Sequence, residues 1–203
     1  MEKVLTPKSD QVYHLRYTTK TEFFEKYNIP KTTTKTDMLL SENKIVMDDE
    51  HMKLYGDDKN MFVVLPKVSK IYWNNSDPRL FSDSNSYKKF LDIERSLLKS
   101  SENISCSSLQ KGKDRIVIIP GKEFVKATGL IKQTLVYDHL QKRVTSVENR
   151  FNAKSKVKKQ LVNYDVLNYN SSKKIKEPLT YIFKGTDLMS TYEGFEIIDN
   201  RQK

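Results

Sequence analysis

Lysine and arginine are the residues whose number and placement in this chain most directly predict a chemistry. The 203 residues include 36 Lys and Arg against 26 Asp and Glu, which gives a net charge of +10. Most of the excess lies in residues 111–160, which hold 13 basic and 4 acidic side chains. Ammonium and guanidinium groups gathered in this way neutralise phosphates. We therefore expect the chain to bind a polyanion, above all nucleic acid, because charge that only solubilises has no reason to be so uneven.

Residues suited to catalysis or metal binding are sparse and scattered. The three histidines, His14, His51 and His139, lie far apart, and Cys106 is the single cysteine. This leaves no ligand spacing typical of zinc. The six glycines form neither a phosphate-binding loop nor a Gly-x-Ser-x-Gly elbow. We expect no enzyme and no cofactor, with a nuclease built on dispersed carboxylates left open.

Cysteine content and hydropathy bear on the compartment. One cysteine excludes an intramolecular disulfide and favours a reducing interior. Residues 1–17 lack the apolar core of a signal peptide. No apolar run approaches the roughly 20 residues that span a bilayer. These features predict a soluble intracellular protein with no membrane partner.

Several elements must position any binding residues. Apolar runs predict strands at 12–17, 61–65, 115–120 and 129–137. Thr19 and Glu22 have capping-box spacing, and Phe23, Phe24 and Tyr27 follow, which predicts a helix ending near Asn28 and Pro30. The hydrophilic residues 41–60, with acidic pairs at 48–49 and 57–58, predict a loop. The serine-rich residues 99–113 predict a flexible linker.

Residues 67–93 are the stretch around which we expect the chain to be organised. The only tryptophan, Trp73, ends a strand-like run. A polar turn at 74–78 follows, and then Phe81 and a helix-like run that carries Tyr87 and Phe90 and fades by Lys99. A polar loop held between apolar anchors is well placed to contact a partner. Trp73 itself is expected to be a core anchor.

Two groups of residues resemble the WOPR box of fungal white–opaque transcription regulators. The first half of that box carries R-W-T-D-G-x-x-W-S-P-S-R and then F-L-x-Y-R-E; the matching positions here are Trp73, Phe81, Ser82, Ser84, Phe90, Leu91, Glu94 and Arg95. An upstream Leu-Pro-Arg-x-x-Arg-Arg-Leu element is matched by Ile29, Pro30, Lys31, Thr34 and Lys35. The sequence departs from the pattern at Tyr72, at 74–76 and at Asn85, where the family has Arg, Thr-Asp-Gly and Arg.

The second half of the resemblance lies beyond the serine-rich segment. Residues 129–134, Gly-Leu-Ile-Lys-Gln-Thr, match G-L-I/V-K-K-T, and residues 161–168 match the later L-V/I-S-Y-Y and D-V-L-N/D elements. A basic insertion at 142–160 separates them. Gly129 could equally meet a backbone need for positive φ.

The resemblance implies an α+β fold with a mixed or antiparallel β-sheet core and a few helices. It also implies one domain over 1–203, in which a first half (10–98), the linker 99–113 and a second half (114–190) interleave into one globular unit, followed by an extension at 191–203. The implied function is sequence-specific binding of double-stranded DNA by a transcription regulator in the nucleus, without a cofactor or small-molecule ligand. Lysines would contact phosphates and the polar loop would read a groove. The candidate DNA-binding residues are Lys31, Lys35, Lys67, Lys70, Tyr72, Asn74, Asn75, Arg79, Ser82, Ser84, Lys122, Lys132, Gln133 and Thr134.

Two other functions remain open on the sequence. A single-stranded RNA-binding module would use Tyr72, Trp73 and Phe81 as a stacking platform. A non-enzymatic scaffold would use the lysines to meet an acidic protein. The lysines at 154–159 are expected more often at a solvated hairpin tip than in a groove. Oligomeric state is not indicated.

Overall fold

The computed structural model describes residues 11–76 and 95–201 and is built mainly of β-strands. The strands are β1 Tyr13–Phe23, β2 Thr32–Leu40, β3 Ile45–Asp49, β4 Lys53–Gly56, β5 Asn60–Leu65, β6 Lys70–Asn75, β7 Ser101–Leu109, β8 Lys113–Pro120, β9 Leu130–Asp138, β10 Arg143–Phe151, β11 Val157–Asn168, β12 Phe183–Lys184, β13 Asp187–Leu188 and β14 Glu196–Asp199. Helical segments within the described chain are short: α-helix at 95–99, Lys122–Thr128 and Leu179–Ile182, and 3₁₀ turns at Glu25–Tyr27, Pro66–Val68 and Ser190–Tyr192. None is long and apolar enough to cross a membrane.

Twelve strands form one hydrogen-bonded sheet in the order β14-β6-β5-β4-β3-β2-β1-β11-β10-β9-β8-β7. The pairing of β14 with β6 is parallel, and the successive pairs from β2 to β6 and from β7 to β11 are antiparallel. β12 and β13 form a separate two-stranded sheet. The expected α+β class is therefore wrong. That expectation came from the family resemblance, whereas the β-branched and aromatic residues of the chain favour a pleated sheet.

The helix expected from Thr19 does not form. β1 continues through these residues to Phe23, and only the 3₁₀ turn Glu25–Tyr27 follows. The run YTTKTEF is rich in β-branched side chains, which favour strands over helices. Asn28, at φ 50°, then ends the turn in the left-handed conformation.

The loop expected at 41–60 is also wrong, since these residues form β3 and β4. One aspartate of each acidic pair makes a turn between strands. The Asp49 carboxylate accepts hydrogen bonds from the backbone N–H groups of His51 and Met52, both at 2.7 Å. Asp57 accepts equivalent bonds from Lys59 at 2.8 Å and Asn60 at 2.6 Å. Such local bonds are the usual reason for aspartate in tight turns.

The serine-rich segment 99–113 is a strand rather than a linker. Residues 101–109 form β7, which pairs antiparallel with β8 from Ser101↔Pro120 to Leu109↔Lys113. The basic insertion 142–160 likewise forms β10 and the start of β11, which make a hairpin. The strands expected at 61–65, 115–120 and 129–137 are confirmed as β5, β8 and β9.

The chain divides into two compact units, each built from several segments. Within the described residues, the first unit comprises 11–16, 36–76 and 167–201. Its core cluster joins strand residues to the segment after β11: Tyr55, Phe62, Val64, Ile71, Ile182 and Tyr192. The hydroxyl groups of Tyr55 and Tyr192 lie 3.1 Å apart in this core.

The second unit comprises residues 17–35 and 95–166 among those described. Its core cluster is Leu97, Ile118, Phe124 and Leu130. Phe124 belongs to the Lys122–Thr128 helix, which ends at Gly129 with φ 75° and an N–H that donates to the Val125 carbonyl. The expected backbone role of Gly129 is confirmed.

Candidate functional site

The amides expected to lie in a polar reading turn belong to strand β6 and hold the end of the described chain. The Asn74 Oδ1 accepts a hydrogen bond from the Asn200 side chain at 3.1 Å. The Asn75 Nδ2 donates to the Arg201 carbonyl at 3.0 Å. An amide engaged in this way has fewer groups left for a base edge. Asn74 and Asn75 therefore have a structural role that the sequence did not indicate.

Trp73 is an anchor of the first unit, as expected. Its ring packs against the core cluster, with ring centroids 4.9 Å from Phe62 and 5.7 Å from Phe183. The indole Nε1 donates to the Asn60 Oδ1 at 3.0 Å. The Arg201 guanidinium lies 3.3 Å from the ring centroid, where a cation is attracted to the face of the indole.

The remaining candidates near β6 are dispersed. Lys67 is exposed on the Pro66–Val68 turn, and Lys70 pairs with Glu196 at 3.3 Å. Tyr72 lies on the sheet face opposite Trp73, because successive strand residues point to opposite faces. Arg79, Ser82 and Ser84 fall outside the described residues.

In the second unit, strand β9 separates three candidates that are consecutive in sequence. Lys132 and Thr134 lie on one face of the strand. Gln133 points to the other face, where it is 2% exposed and donates from Nε2 to the Asn149 Oδ1 at 3.1 Å. Gln133 is therefore a packing residue. Lys122 is exposed at the first turn of its helix.

Lys132 belongs to a row of cations that crosses three strands of the second unit. The strand register places Arg150 directly opposite Lys132 on one side and opposite Lys159 on the other. We call Lys132, Arg150 and Lys159 the cationic row. Like charges placed directly opposite each other in a sheet are unfavourable unless something compensates for them.

Two glutamates supply the compensation. Glu148 pairs with Arg150 at 2.7 Å and with Lys159 at 3.9 Å, and Glu22 pairs with Lys159 at 3.3 Å and with Lys31 at 3.6 Å. The hydrogen bond from Lys159 holds the pKa of Glu22 below its ordinary value. Lys35, on β2, is exposed. The two glutamates thus join Lys31, Arg150 and Lys159 into one ion-pair network, and Lys132 lies beside it, opposite Arg150.

A second surface, which sequence reasoning missed, lies in the first unit. Direct cross-strand pairing places one residue from each of six strands in a line: Met38, Met47, Leu54, Val63, Tyr72 and Ile198. We call this line the apolar row. All six side chains are partly buried, and none belongs to or packs against the two core clusters of the described chain.

A second line of residues lies beside the apolar row on the same face of the sheet, and it is also mostly apolar. Pairing places Leu40, Ile45, Gly56, Met61 and Asn74 next to one another across five of the same strands. The Met61 side chain lies over Gly56, where an added Cβ would come within 2.7 Å of its terminal methyl carbon. With interstrand spacings of about 4.8 Å, the six strands of the apolar row span about 24 Å. The two lines together carry no charged residue.

The other face of these strands carries the unit's own core. Tyr55, Phe62 and Trp73 pair directly across β4, β5 and β6 and pack with the segment around Ile182. The sequence signal for two apolar faces was present in β5, whose NMFVVL run is apolar without alternation. It indicated burial but not what would cover the second face.

A buried histidine forms a charged cluster in the first unit. His14 is 7% exposed, and its Nε2 lies 2.8 Å from the Asp37 Oδ1 and 3.2 Å from the Lys173 Nζ. Arg16 donates to the Asp37 Oδ2 from Nε at 2.9 Å and from an Nη at 2.7 Å. Within the described part of the chain, no group of three or more His, Cys, Asp or Glu side chains could hold a metal ion.

Comparison with known proteins gives no family. No family model and no curated protein matches the chain. Solved structures are similar at low levels. An uncharacterized conserved protein from Thermus thermophilus is 7% identical, covers 98% of this chain and 94% of its own, and has a TM-score of 0.47.

Two other solved structures are less similar. A putative outer membrane lipoprotein-sorting protein domain from Vibrio parahaemolyticus is 12% identical with a TM-score of 0.33, and a DUF1329 family protein from Desulfovibrio piger is 9% identical with a TM-score of 0.36. Each covers 85% of this chain and 90% of its own. None of the three descriptions names a catalytic activity. Likeness at this level carries no argument about function, which must come from the chain's own surfaces.

Proposed function

We propose that the protein binds a long apolar ligand, of the class of lipid acyl chains, on the apolar row of the first unit. The observation that carries the proposal is the line Met38, Met47, Leu54, Val63, Tyr72 and Ile198, on the face opposite the unit's own core. An antiparallel sheet with a single core usually presents polar side chains on its second face. Here the second face is apolar across six strands.

The shape of the surface favours a chain-like ligand. The apolar row and the line beside it are two side chains wide and about 24 Å long at ordinary strand spacing. Methionine contributes three of the apolar positions, at 38, 47 and 61, and its unbranched side chain adapts to ligands of variable shape. Met61 is buried, whereas Met38 and Met47 are partly buried, as is the rest of the apolar row, and leave apolar area that a ligand would remove from water.

The polar groups of these two lines lie on β6. Tyr72 stands between Val63 and Ile198 in the apolar row, Asn74 ends the line beside it, and Lys70 lies on the same face of β6 because it is two residues from Tyr72. A phenol, an amide and an ammonium group suit the carboxylate or phosphate end of a lipid. In this proposal Lys70 and Tyr72, first assigned to DNA, face the polar end of the ligand, with Lys70 shared with Glu196, while Asn74 keeps its bond to Asn200.

The direct test is titration of the full chain with a fluorescent fatty acid. We expect saturable binding with about one ligand per chain, and at least a tenfold weaker affinity for Leu54→Gln, since a single buried polar substitution costs about 1–3 kcal/mol. The matched control is Leu140→Gln, which makes the same change at a leucine that is 86% exposed and belongs to the second unit. Melting curves of both variants show whether the fold is intact.

The outcomes separate the possible ligand sources. Displacement of the probe by free palmitate but not by phospholipid vesicles assigns the site to free fatty acids; displacement by both assigns it to membrane lipid as well. Failure of the parent protein to bind the probe contradicts the proposal. Equal binding by Leu54→Gln and Leu140→Gln also contradicts it.

Binding of double-stranded DNA is a second candidate function, and the cationic row is the observation that favours it. Lys31 and the three cations of the row outnumber the two glutamates beside them, so this group keeps a net positive charge that suits phosphates. Lys31 and Thr134 lie on or beside the same face and keep their assigned roles in this proposal. The nucleus is the location that goes with this DNA-binding function. The RNA alternative loses its platform, because Tyr72 and Trp73 point to opposite faces and Trp73 packs in the core.

Salt dependence tests the DNA candidate. Log K against log salt concentration should fall with a slope of about −0.9 per phosphate contact. Arg150→Ala should flatten the slope by about one unit, whereas Lys184→Ala, at an exposed lysine of the first unit, should not. Selection from random duplexes would give the preferred sequence. Equal slopes for the two variants, or no binding to duplex DNA, would leave the cationic row without this role.

A further inference from the structure

Strand β7 ends the twelve-stranded sheet, and among the described residues no strand pairs with its outer edge. It is nine residues long, Ser101–Leu109, and within the described chain it pairs only with β8. Residues 102–108 are exposed along the whole run. An edge strand presents backbone N–H and C=O groups that another strand can pair with.

Proteins normally protect such edges with charge, proline or short length. The other edge of this sheet follows that practice: β14 is four residues long, and the Glu196–Lys70 pair and the Asp199–Arg201 pair stand along it. β7, in contrast, contains no Lys, Arg or Pro, and Glu102 is its only charged residue. A register shift lies between Ser101 and Asn103 at the start of β7, and the strand beyond it, from Ile104 to Leu109, has neither a charged residue nor a proline to protect its edge.

We propose that β7 pairs antiparallel with β7 of a second copy of this chain, about a twofold axis at Cys106. In that register Ser105 faces Ser107, Ile104 faces Ser108 and Glu102 faces Gln110, so no like charges meet. The contact is isologous, as is usual for twofold dimers. Each copy satisfies the open backbone groups of the other.

The same register shields apolar surface. Ile104 is 51% exposed and lies on the same face of β7 as Cys106, two residues away. Pairing places the partner's Ser108 opposite Ile104 and the partner's Cys106 diagonal to it, within reach of a branched side chain. A strand pair alone buries less area than a permanent dimer needs, so the association depends on protein concentration.

Cys106 makes the register measurable, because it is exposed and is the only cysteine of the chain. In the proposed dimer the two Cys106 residues face each other at a Cα separation of about 4.5–5.5 Å, within disulfide reach. We expect mild oxidation of the full chain with copper phenanthroline to give a disulfide-linked dimer, and sedimentation of the reduced protein to show a mass that rises with concentration. In the Cys106→Ser background, Ser105→Cys mixed with Ser107→Cys should cross-link at least tenfold faster than either alone.

Charge variants decide whether the edge itself carries the association. The double variants Ser105→Lys with Ser107→Lys and Ser105→Glu with Ser107→Glu should each be monomeric, and an equimolar mixture should dimerise. Ser146→Lys, a serine-to-lysine change on interior strand β10, is the control and should dimerise like the parent. A parent that stays monomeric at all concentrations overturns the proposal, as does dimerisation of either double variant alone. Cross-linking at equal rates for every cysteine position overturns the register. Melting curves confirm that each variant is folded.

Discussion

Asp37 is a partly buried carboxylate that is hydrogen-bonded to His14 and Arg16. Burial raises its pKa, but the hydrogen bonds from Arg16 and His14 outweigh that effect and hold the pKa below its ordinary value. A carboxylate whose pKa is lowered on folding stabilises the fold at pH above the unfolded pKa of about 4, and the contribution is lost as the pH falls through the folded pKa. The Asp37 cluster should therefore stabilise the fold near neutral pH, and this stabilisation should be lost in acid.

Asp37→Asn tests this pH dependence. At pH 7 the substitution should lower the free energy of unfolding by about 1 kcal/mol, because a charge-assisted pair that is partly open to water is lost. At pH 3 the difference from the parent should shrink, because the pH is then below the unfolded pKa of about 4 and approaches the lowered folded pKa. Asp58→Asn, at an exposed aspartate, should change little at either pH. Denaturant unfolding at the two pH values measures the effect, and an equal loss at both would contradict the assigned role.

At the scale of elements, two glycines determine how the Lys122–Thr128 helix begins and ends. Gly129 has φ 75°, which an L-residue with a Cβ rarely adopts. Gly121 has φ −69°, but an added Cβ would lie 2.5 Å from the Ser100 carbonyl oxygen. The Gly121 N–H donates to that same oxygen at 2.8 Å. One glycine therefore meets a conformational need and the other a close approach.

The two glycine-to-alanine variants should differ in cost. Gly129→Ala should destabilise by about 1 kcal/mol, from the strained φ alone. Gly121→Ala should cost about 2 kcal/mol or more, because the backbone of residue 100 must move. Gly185→Ala is the reference for a positive φ, at 67° with nothing within 4 Å of an added Cβ. Thermal unfolding ranks the three, and a cost for Gly121→Ala below that of Gly185→Ala would contradict the close contact.

At the scale of the whole molecule, neither unit is a continuous stretch of chain. The core cluster of the first unit draws Tyr55, Phe62, Val64 and Ile71 from before residue 77, and Ile182 and Tyr192 from beyond residue 167. The parallel pair of β14 with β6 joins the same two parts of the sequence. A break between them removes one side of the core.

Residues 1–98 and 99–203, expressed separately, should therefore fail to fold. Each fragment alone lacks buried partners worth several kcal/mol, against a typical total stability of about 5–15 kcal/mol. Mixed or co-expressed, the fragments should restore the parent's cooperative unfolding. Circular dichroism and melting curves follow both cases. A sharp unfolding transition for either isolated fragment would show that its core is sufficient by itself.

Some features of this protein follow from local sequence. The apolar runs at 61–65, 115–120 and 129–137 are strands, because a short β-branched or aliphatic run between turn residues has few other ways to be buried. Trp73 packs in a core because its large apolar ring gains most from leaving water. Gly129 ends a helix because glycine, which lacks a Cβ, adopts positive φ readily.

Other features depend on partners distant in sequence. Ser101–Leu109 has the composition of a linker, and it is a strand because β8 supplies its hydrogen bonds. The capping-box spacing at Thr19 and Glu22 is a local signal, which strand pairing outweighed. Asn74 and Asn75 became structural only when residues 200 and 201 were brought against them.

In the candidate sites, too, some properties follow from local sequence and others from strand pairing. Net charge and its placement indicated a cationic surface, but the register decided that Lys132, Arg150 and Lys159 share a line and that Gln133 does not. The apolar row is defined entirely by the pairing of six strands, since no two of its residues are closer than seven positions in sequence. Side-chain chemistry is a local property, whereas the face on which a strand residue lies is determined by the strands that pair with it.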